Sequence, residues 1–283
     1  MRQDNSSSRL WRIIYPILTY FGVYYLIFII GGIFGVTFSV VSMKQSGAEL
    51  DYYVLLEQTA LWIARHQSEM QIAVSVIVLP LAMLYFRMDQ KSAGLTGKKE
   101  APLKAPVIVT SILLGVSACM ALNGLLNMSG LMRVYEENLD EIGQALYQGR
   151  IFWEILGTGL LAPLVEELIF RGLIFRRLKE WVAAPQAIVV SALIFGFYHG
   201  NTLQIIYASV IGLLFAWLYE KYKNLIAPIL AHMAANLFSV IASESGMLDQ
   251  LLAKEGALIA FTGVSCLLLL GCIYLLQEKL AGR

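Results

Sequence analysis

Charged residues are scarce in this sequence. Asp, Glu, Lys and Arg make up 14% of its 283 residues, whereas soluble domains carry about 25%. Hydrophobic residues make up 58% of the chain, and the mean hydropathy is +0.67. These values are typical of an integral membrane protein and not of a soluble domain with a large core.

Sequence features that are typical of nucleic-acid-binding and metal-binding proteins are also missing. The net charge is +1, and no block of Lys and Arg of the kind that contacts phosphate backbones is present. We therefore expect no nucleic-acid partner. The three cysteines, Cys119, Cys266 and Cys272, lie in apolar segments without CxxC spacing, and we expect them to be small buried side chains.

The sequence contains long uncharged runs instead. The first run extends from Ile13 to Met43, a stretch of 31 residues that follows Arg2, Arg9 and Arg12. The apolar core of a signal peptide has only about 7–15 residues, so we expect an uncleaved first membrane helix. Such a helix would be about 46 Å long. It must tilt or extend beyond a hydrocarbon core of about 30 Å.

Seven further apolar segments follow, at residues 70–86, 105–128, 151–175, 183–200, 202–219, 225–242 and 257–276. They predict an all-α, polytopic membrane helix bundle with about eight transmembrane helices. Lys and Arg alternate between the two sides of such a bundle: 15 lie on the side of both termini and 5 on the other. Because basic residues favour the cytoplasmic side, this predicts an N-in and C-in topology.

The two long outer loops have apolar residues at helical spacing and are predicted to form short helices lying on the outer surface. These loops are residues 44–69 and 129–150, the second with Tyr135, Leu139, Ile142 and Leu146. We divide the chain into residues 1–150, with the first three membrane helices and these loops, residues 151–242, with the next four helices, and residues 243–283, with the last loop and helix. No organelle signal is present, and we expect a multi-pass protein of a bacterial plasma membrane.

Polar side chains inside the apolar segments fall into three groups. An ionisable group in such a place costs at least about 2.5–3.5 kcal/mol on insertion scales, and it usually faces a cavity or a partner. Residues four positions apart share a helix face. The groups are Glu166-Glu167-x-x-x-Arg171, Phe195-x-x-x-His199 and His232-x-x-x-Asn236.

The spacing gives the two glutamates different expected roles. Glu167 and Arg171 can pair at i and i+4. Glu166 is rotated by about 100° from Glu167, so we expect at most one of the two to point squarely into a given cavity. Glu166, which is not paired at i+4 with Arg171, is the better candidate for a general base.

Together the three groups supply the parts for amide hydrolysis. A carboxylate with a histidine can activate water, and a histidine with an asparagine can donate two hydrogen bonds to a developing oxyanion. Structural roles remain the alternative: an ion pair that joins helices, a histidine that caps a helix, or interhelical hydrogen bonds from His232 and Asn236.

The ordered series of three motifs resembles that of the CPBP intramembrane proteases. This family includes type II CAAX prenyl endopeptidases and bacterial relatives linked to bacteriocin processing and self-immunity, the Abi group. The resemblance covers about residues 150–242, and the remaining chain is similar only in its hydrophobicity. It implies Glu166 as the catalytic base, His199 as the residue that holds or polarises water, His232 and Asn236 as oxyanion donors, and a supporting Glu167–Arg171 ion pair with Phe195 packed under the site.

The resemblance favours a mechanism without a metal ion. Zinc bound by Glu166, His199 and His232 is the alternative, since one Glu and two His form a plausible ligand set. However, the sequence has no HExxH motif, and a metal on His232 would leave Asn236 without a role. The expected partners are a peptide or membrane-protein substrate and the lipid bilayer.

The position of His199 requires a short helix. A full span from residue 183 would carry His199 to the outer surface, away from Glu166. We expect instead that this helix begins near Gln186 and has about 14 residues, or about 21 Å, which is too short to span. The turn at residues 199–202 would then lie inside the protein, where irregular backbone is tolerated around a cavity.

Three functions follow from these observations. The leading one is an intramembrane endopeptidase that cuts a peptide near the cytoplasmic membrane interface. The second is an ion-coupled transporter that uses the same buried charges as a relay. The third is a non-catalytic scaffold or immunity protein that binds a partner. Replacement of Glu166 by Ala distinguishes them.

Overall fold

The computed structural model describes residues 6–92, 101–131, 151–246 and 254–280. Within these ranges the regular structure consists of helices without any strand, which confirms the all-α prediction. We number the helices in chain order: α1 (Ser6–Ser46), α2 (Tyr52–Arg65), α3 (Gln67–Ser92), α4 (Ala105–Met128), α5 (residues 151–178), α6 (Ala184–Tyr198), α7 (Thr202–Tyr222), α8 (Ile226–Glu244) and α9 (Glu255–Tyr274, continued by a π-helical turn at Leu275–Lys279).

The chain is a polytopic, multi-pass membrane protein. By length and composition, six helices in the described ranges can cross a membrane, namely α1, α3, α4, α7, α8 and α9. The other two predicted segments are also helical, as α5 and as the shorter apolar helix α6. The number of eight crossings and the N-in, C-in orientation stay predictions.

One of the two predicted outer helices lies in a described segment. Helix α2 begins at the N-cap Asp51, whose carboxylate accepts hydrogen bonds from the backbone N–H groups of Tyr53 and Val54 at 2.8 and 3.0 Å. These two bonds satisfy N–H groups of the first helical turn, which have no acceptor within the helix. The other predicted outer helix, with Tyr135, Leu139, Ile142 and Leu146, lies outside the described residues.

Helix α8 lies close against α4 because the residue of α4 at their contact is a glycine, which has no side chain. A Cβ atom added to Gly115 of α4 would collide with the backbone carbonyl of Ala231 in α8. Small residues allow helix backbones in membranes to approach in this way. Since Ala231 directly precedes His232, this contact also fixes the height of the histidine in the bundle.

Replacement of Gly115 by Ala should therefore destabilise the protein. Overpacking of a filled interior costs about 1–3 kcal/mol, and we expect a lower thermal unfolding temperature in detergent. The matched control is Gly22→Ala in α1, where no heavy atom lies within 4 Å of the added Cβ. Equal unfolding temperatures for the two variants would contradict the close α4–α8 contact.

A buried arginine fixes the C-terminal end of α5. Arg177 is 1% exposed. Its Nε donates to Asp89 Oδ2 of α3 at 2.7 Å, and its Nη2 donates to the Tyr15 hydroxyl of α1 at 2.6 Å. It also donates to the backbone carbonyl of Arg12. The helix that carries both glutamates is thus tied to α1 and α3.

Candidate active site

Helix α5 alternates between α-helical and π-helical turns. The π-helical segments are Ile155–Leu161 and Leu168–Phe175, and the α-helical segment Ala162–Glu167 lies between them. Pro163 has no N–H to donate to the carbonyl one turn earlier. The N–H of Ala162, the residue before Pro163, donates to the carbonyl of Gly157, five residues back. Glu166 and Glu167 therefore lie on a regular turn between two widened ones, a feature that is frequent at functional sites.

Two glycines bring the first widened segment close to its neighbours. A Cβ on Gly157 would lie 2.9 Å from the Ser68 carbonyl of α3, and one on Gly159 would lie 2.6 Å from Leu237 Cδ2 of α8. Both distances are too short for an alanine without local movement. This close packing brings α5 next to α8, which carries His232 and Asn236.

Glu167 and Arg171 form a fully buried ion pair. Glu167 Oε1 accepts a hydrogen bond from Arg171 Nη1 at 2.9 Å, and both side chains are 0% exposed. Arg171 Nη2 donates to the carbonyl of Gly212 in α7 at 3.0 Å, and the guanidinium lies 4.6 Å from the centre of the Phe195 ring. The pairing expected from the i and i+4 spacing is found, and it links α5 to α6 and α7.

His232 lies between the two glutamates. Its Nδ1 is 2.8 Å from Glu167 Oε1, and its Nε2 is 3.7 Å from Glu166 Oε2. A carboxylate can only accept, so Nδ1 carries the proton in the first contact. The sequence predicted at most one glutamate facing a given cavity; in the structure both approach one imidazole, from its two nitrogens.

His199 closes α6 at the level of the glutamates. Helix α6 has 15 residues and begins at Ala184, close to the predicted start. Gly200 follows with a φ of +70°, a left-handed conformation common after the last turn of a helix. His232 Nε2 lies near Glu166, and the ring of Phe195 contacts both His199 and His232. The structure thus brings Glu166 and the two histidines into one region.

The ring of His199 has a defined orientation. Nδ1 lies 2.8 Å from the backbone carbonyl of Phe195. A carbonyl oxygen can only accept a hydrogen bond, so Nδ1 carries the proton. In the neutral ring Nε2 then holds a lone pair, and it can accept a hydrogen bond from a water molecule.

Phe195 packs under these groups, as the motif implied. It is 1% exposed. Its ring makes edge-to-face contacts with His199 at 4.9 Å and with His232 at 5.7 Å between ring centres. Because Arg171 lies over the same ring, one aromatic side chain supports both histidines and the cation.

Asn236 lies one turn beyond His232 on α8. Its Nδ2 donates to the backbone carbonyl of Thr158 in α5 at 2.9 Å. Within the described part of the chain, no hydrogen bond joins Asn236 to Glu166 or His199. A carboxamide has two N–H groups, so one N–H is engaged with α5, and the second can serve an oxyanion.

Three polar residues near His199 were missed in the sequence. Tyr198 of α6 packs edge-to-face on His199 and on Tyr20 of α1, and Gln71 of α3 is hydrogen-bonded to Tyr20. Tyr198 directly precedes His199, so its place in the sequence could have indicated that it lies near the site. Tyr20 is one of 14 tyrosines, and no spacing distinguishes it.

The zinc alternative needs Glu166, His199 and His232 to converge on one point. Each histidine donates from Nδ1 to an oxygen, as metal-binding histidines commonly do. However, no group of three His, Cys, Asp or Glu side chains within the described ranges is arranged to hold a metal ion. The mechanism without a metal ion stays a prediction.

Comparison with known proteins finds a family that is similar to this region. Residues 148–238 match the model of the type II CAAX prenyl endopeptidases, Rce1-like. The chain is 36% identical over 87 residues to the "Putative membrane peptidase YdiL" of Bacillus subtilis, and 36% identical over 93 residues to the membrane-embedded CAAX protease MroQ of Staphylococcus aureus. It is also 30% identical over 81 residues to the UPF0177 protein YxdF of Lactococcus lactis.

These matches cover only part of each protein. They include 31%, 31% and 28% of this chain for YdiL, MroQ and YxdF, and 36%, 38% and 44% of those proteins' lengths. No solved structure gives a significant match. The matched region contains Glu166, His199 and His232, and the resemblance to the CPBP family is confirmed for it.

Proposed function

We propose that this chain, whose residues 148–238 match the Rce1-like model of the type II CAAX prenyl endopeptidases, is an intramembrane endopeptidase. The observation that carries the proposal is the imidazole of His232 with a glutamate at each of its nitrogens, joined to His199 through the ring of Phe195. The substrate is a peptide or a membrane-protein segment, cut near the membrane interface. We assign the reaction to water activated by Glu166 and His199.

In this mechanism the water molecule lies between the carboxylate of Glu166 and Nε2 of His199. Glu166 accepts a proton as the water oxygen bonds to the peptide carbonyl carbon. The carbonyl oxygen becomes an oxyanion and accepts hydrogen bonds from His232 Nε2 and from the second N–H of Asn236. The C–N bond then breaks, and Glu166 returns the proton to the leaving amine.

Glu167 and Arg171 act as the support of this site. Glu167 accepts from His232 Nδ1 and from Arg171, so its carboxylate fixes the plane of the imidazole and leaves Nε2 for the oxyanion. For His232 to donate from Nε2 as well, the ring must carry both protons. The neighbouring carboxylate is a suitable partner for that charged ring.

The experiment that tests the proposal compares peptides and membrane proteins of cells that carry the wild type or Glu166→Ala. We expect one or more cleavage products present only with the wild type, at equal amounts of inserted protein. The matched control is Glu244→Gln at the exposed C-terminal end of α8, which should leave those products unchanged.

The other two functions predict different results in the same cells. An unchanged biological effect in Glu166→Ala would support a scaffold or immunity protein that binds a partner. Solute flux through the wild type in liposomes, lost in Glu166→Ala, would support a transporter. Either result, without cleavage products, would contradict the endopeptidase.

We further propose that the reaction requires no metal ion. Because the mechanism uses only side chains and water, EDTA or 1,10-phenanthroline should leave Glu166-dependent cleavage unchanged. The measurement is cleavage by the purified protein before and after dialysis against each chelator. Loss of activity that is restored by added Zn²⁺ would contradict the proposal and support zinc at Glu166, His199 and His232.

A further inference from the structure

The backbone carbonyl of Thr158 in α5 lacks the donors that a helix normally supplies. In the π-helical segment Ile155–Leu161 a carbonyl accepts from the N–H five residues later. For Thr158 that residue is Pro163, which has no N–H. The α-helical donor would be the N–H of Ala162, but that group donates to the carbonyl of Gly157. The carbonyl of Thr158 is therefore left for a partner outside its own helix.

Asn236 of α8 is that partner. Its Nδ2 donates to the carbonyl of Thr158 at 2.9 Å. Because a carbonyl oxygen can only accept, this contact fixes which end of the carboxamide faces α5. An unpaired carbonyl is costly inside a membrane, and a side chain from a neighbouring helix can supply the bond that a proline removes. The backbone of α5 thus sets the orientation of Asn236.

Helices α5 and α8 are in close contact at this height. Leu237, the residue after Asn236, packs against Gly159, the residue after Thr158, and a Cβ added to Gly159 would lie 2.6 Å from Leu237 Cδ2. Thr158 is exposed and Asn236 is half-buried, so their hydrogen bond lies at an accessible edge of the two helices. The second N–H of the carboxamide can therefore meet a substrate carbonyl there.

We propose that Pro163 is a positioning residue for Asn236. Because the proline ring supplies no N–H, the carbonyl of Thr158 stays available to hold one N–H of the carboxamide, and the second N–H is directed at the oxyanion. With a helical donor the carbonyl would lie along the helix axis and not point to α8. The inference rests on the proposed function and extends it to a residue without any reactive group.

The test restores the missing donor. In Pro163→Ala the new N–H competes for the carbonyl of Thr158. We expect kcat to fall by about 10-fold to 100-fold with KM changed by less than about 3-fold, since full removal of an oxyanion donor costs about 10²–10³-fold and this donor is only misdirected. The substrate is the peptide whose cleavage depends on Glu166 in the cell comparison. The matched control is Pro16→Ala, which replaces a buried proline inside α1 and should keep the wild-type kcat.

A double-mutant cycle separates this role from an effect of the proline on its own helix. Glu166 lies three residues after Pro163, and the substitution could displace it. If the proline acts through Asn236, Pro163→Ala should lower kcat by less than about 2-fold in an Asn236→Ala background. A full additional loss in that background would mean that the proline acts on Glu166, and it would overturn the inference.

Unfolding temperatures in detergent separate a positioning role from a loss of fold. Pro163→Ala should unfold at about the same temperature as Pro16→Ala, because alanine is a better helix former than proline at either position. Pro163→Ser restores the same N–H and serves as the second variant if Pro163→Ala does not insert. A loss of activity that accompanies a lower unfolding temperature in both Pro163 variants would overturn the inference.

The same assay tells a failure of this inference from a failure of the proposed function. If the wild type and Glu166→Gln cleave equally, the proposed function fails and this inference fails with it. If the wild type is active and Glu166→Gln is not, but Pro163→Ala retains the wild-type kcat, only this inference fails.

Discussion

Replacement of Glu166 by Gln is expected to lower kcat by about 10²–10⁴-fold, because a positioned general base contributes a factor of this size. Glutamine has nearly the same shape but cannot accept the proton of the attacking water. The side chain of Glu166 is 10% exposed and the ion pair of Glu167 and Arg171 does not include it. We therefore expect the variant to insert and unfold like the wild type. The measurement is cleavage of the identified peptide by the purified protein.

The adjacent glutamate provides the contrast. Glu167→Gln removes the acceptor shared by Arg171 and His232, so this variant should unfold at a lower temperature as well as lose activity. Similar activity for Glu166→Gln and the wild type would contradict the assignment of the base. Destabilisation by Glu166→Gln equal to that by Glu167→Gln would contradict their different roles.

Replacement of Arg171 by Met should destabilise the protein by about 3–5 kcal/mol, because removal of one partner leaves a buried charge uncompensated. The uncompensated group is Glu167, whose side chain is 0% exposed. The carbonyl of Gly212 would also lose its donor. The measurement is the unfolding temperature in detergent, and the activity should fall with the loss of support for His232.

Two variants serve as controls for the Arg171 result. Glu180→Gln breaks the ion pair between Arg12 and Glu180. The Glu180 side chain is 48% exposed, and exposed pairs contribute at most about 1 kcal/mol to stability. The double replacement Glu167→Gln with Arg171→Met leaves no unpaired charge and should recover part of the lost stability. An Arg171→Met variant that unfolds like Glu180→Gln would contradict a buried, unscreened pair.

The sequence predicted the helical bundle and the local pairs within each motif. Charged residues are so scarce that each apolar segment was visible, and the spacing of four between Glu167 and Arg171 placed them on one face. The short length of α6 was also predicted, because only a short helix could bring His199 to the level of Glu166. These predictions depend on distances along one helix.

What the sequence did not predict depends on contacts between helices. The approach of both glutamates to His232 requires the position of α8 relative to α5, which Gly115 and Gly159 set through close packing. Pro163 follows the first π-helical segment, but the second one, Leu168–Phe175, contains no proline that could have predicted it. Tyr20 packs on Tyr198, beside His199, from a helix about 180 residues earlier in the chain, and helical periodicity carries no information on such a contact.

The most direct measurement is a single turnover in water enriched in oxygen-18, with enzyme in excess over the identified peptide. Our account predicts one labelled oxygen in the new carboxyl terminus of the first product, and none in the side chain of Glu166, since the carboxylate only transfers protons. Label in Glu166, or a first product that contains only oxygen-16, would mean that the carboxylate attacks the peptide itself and would contradict the account.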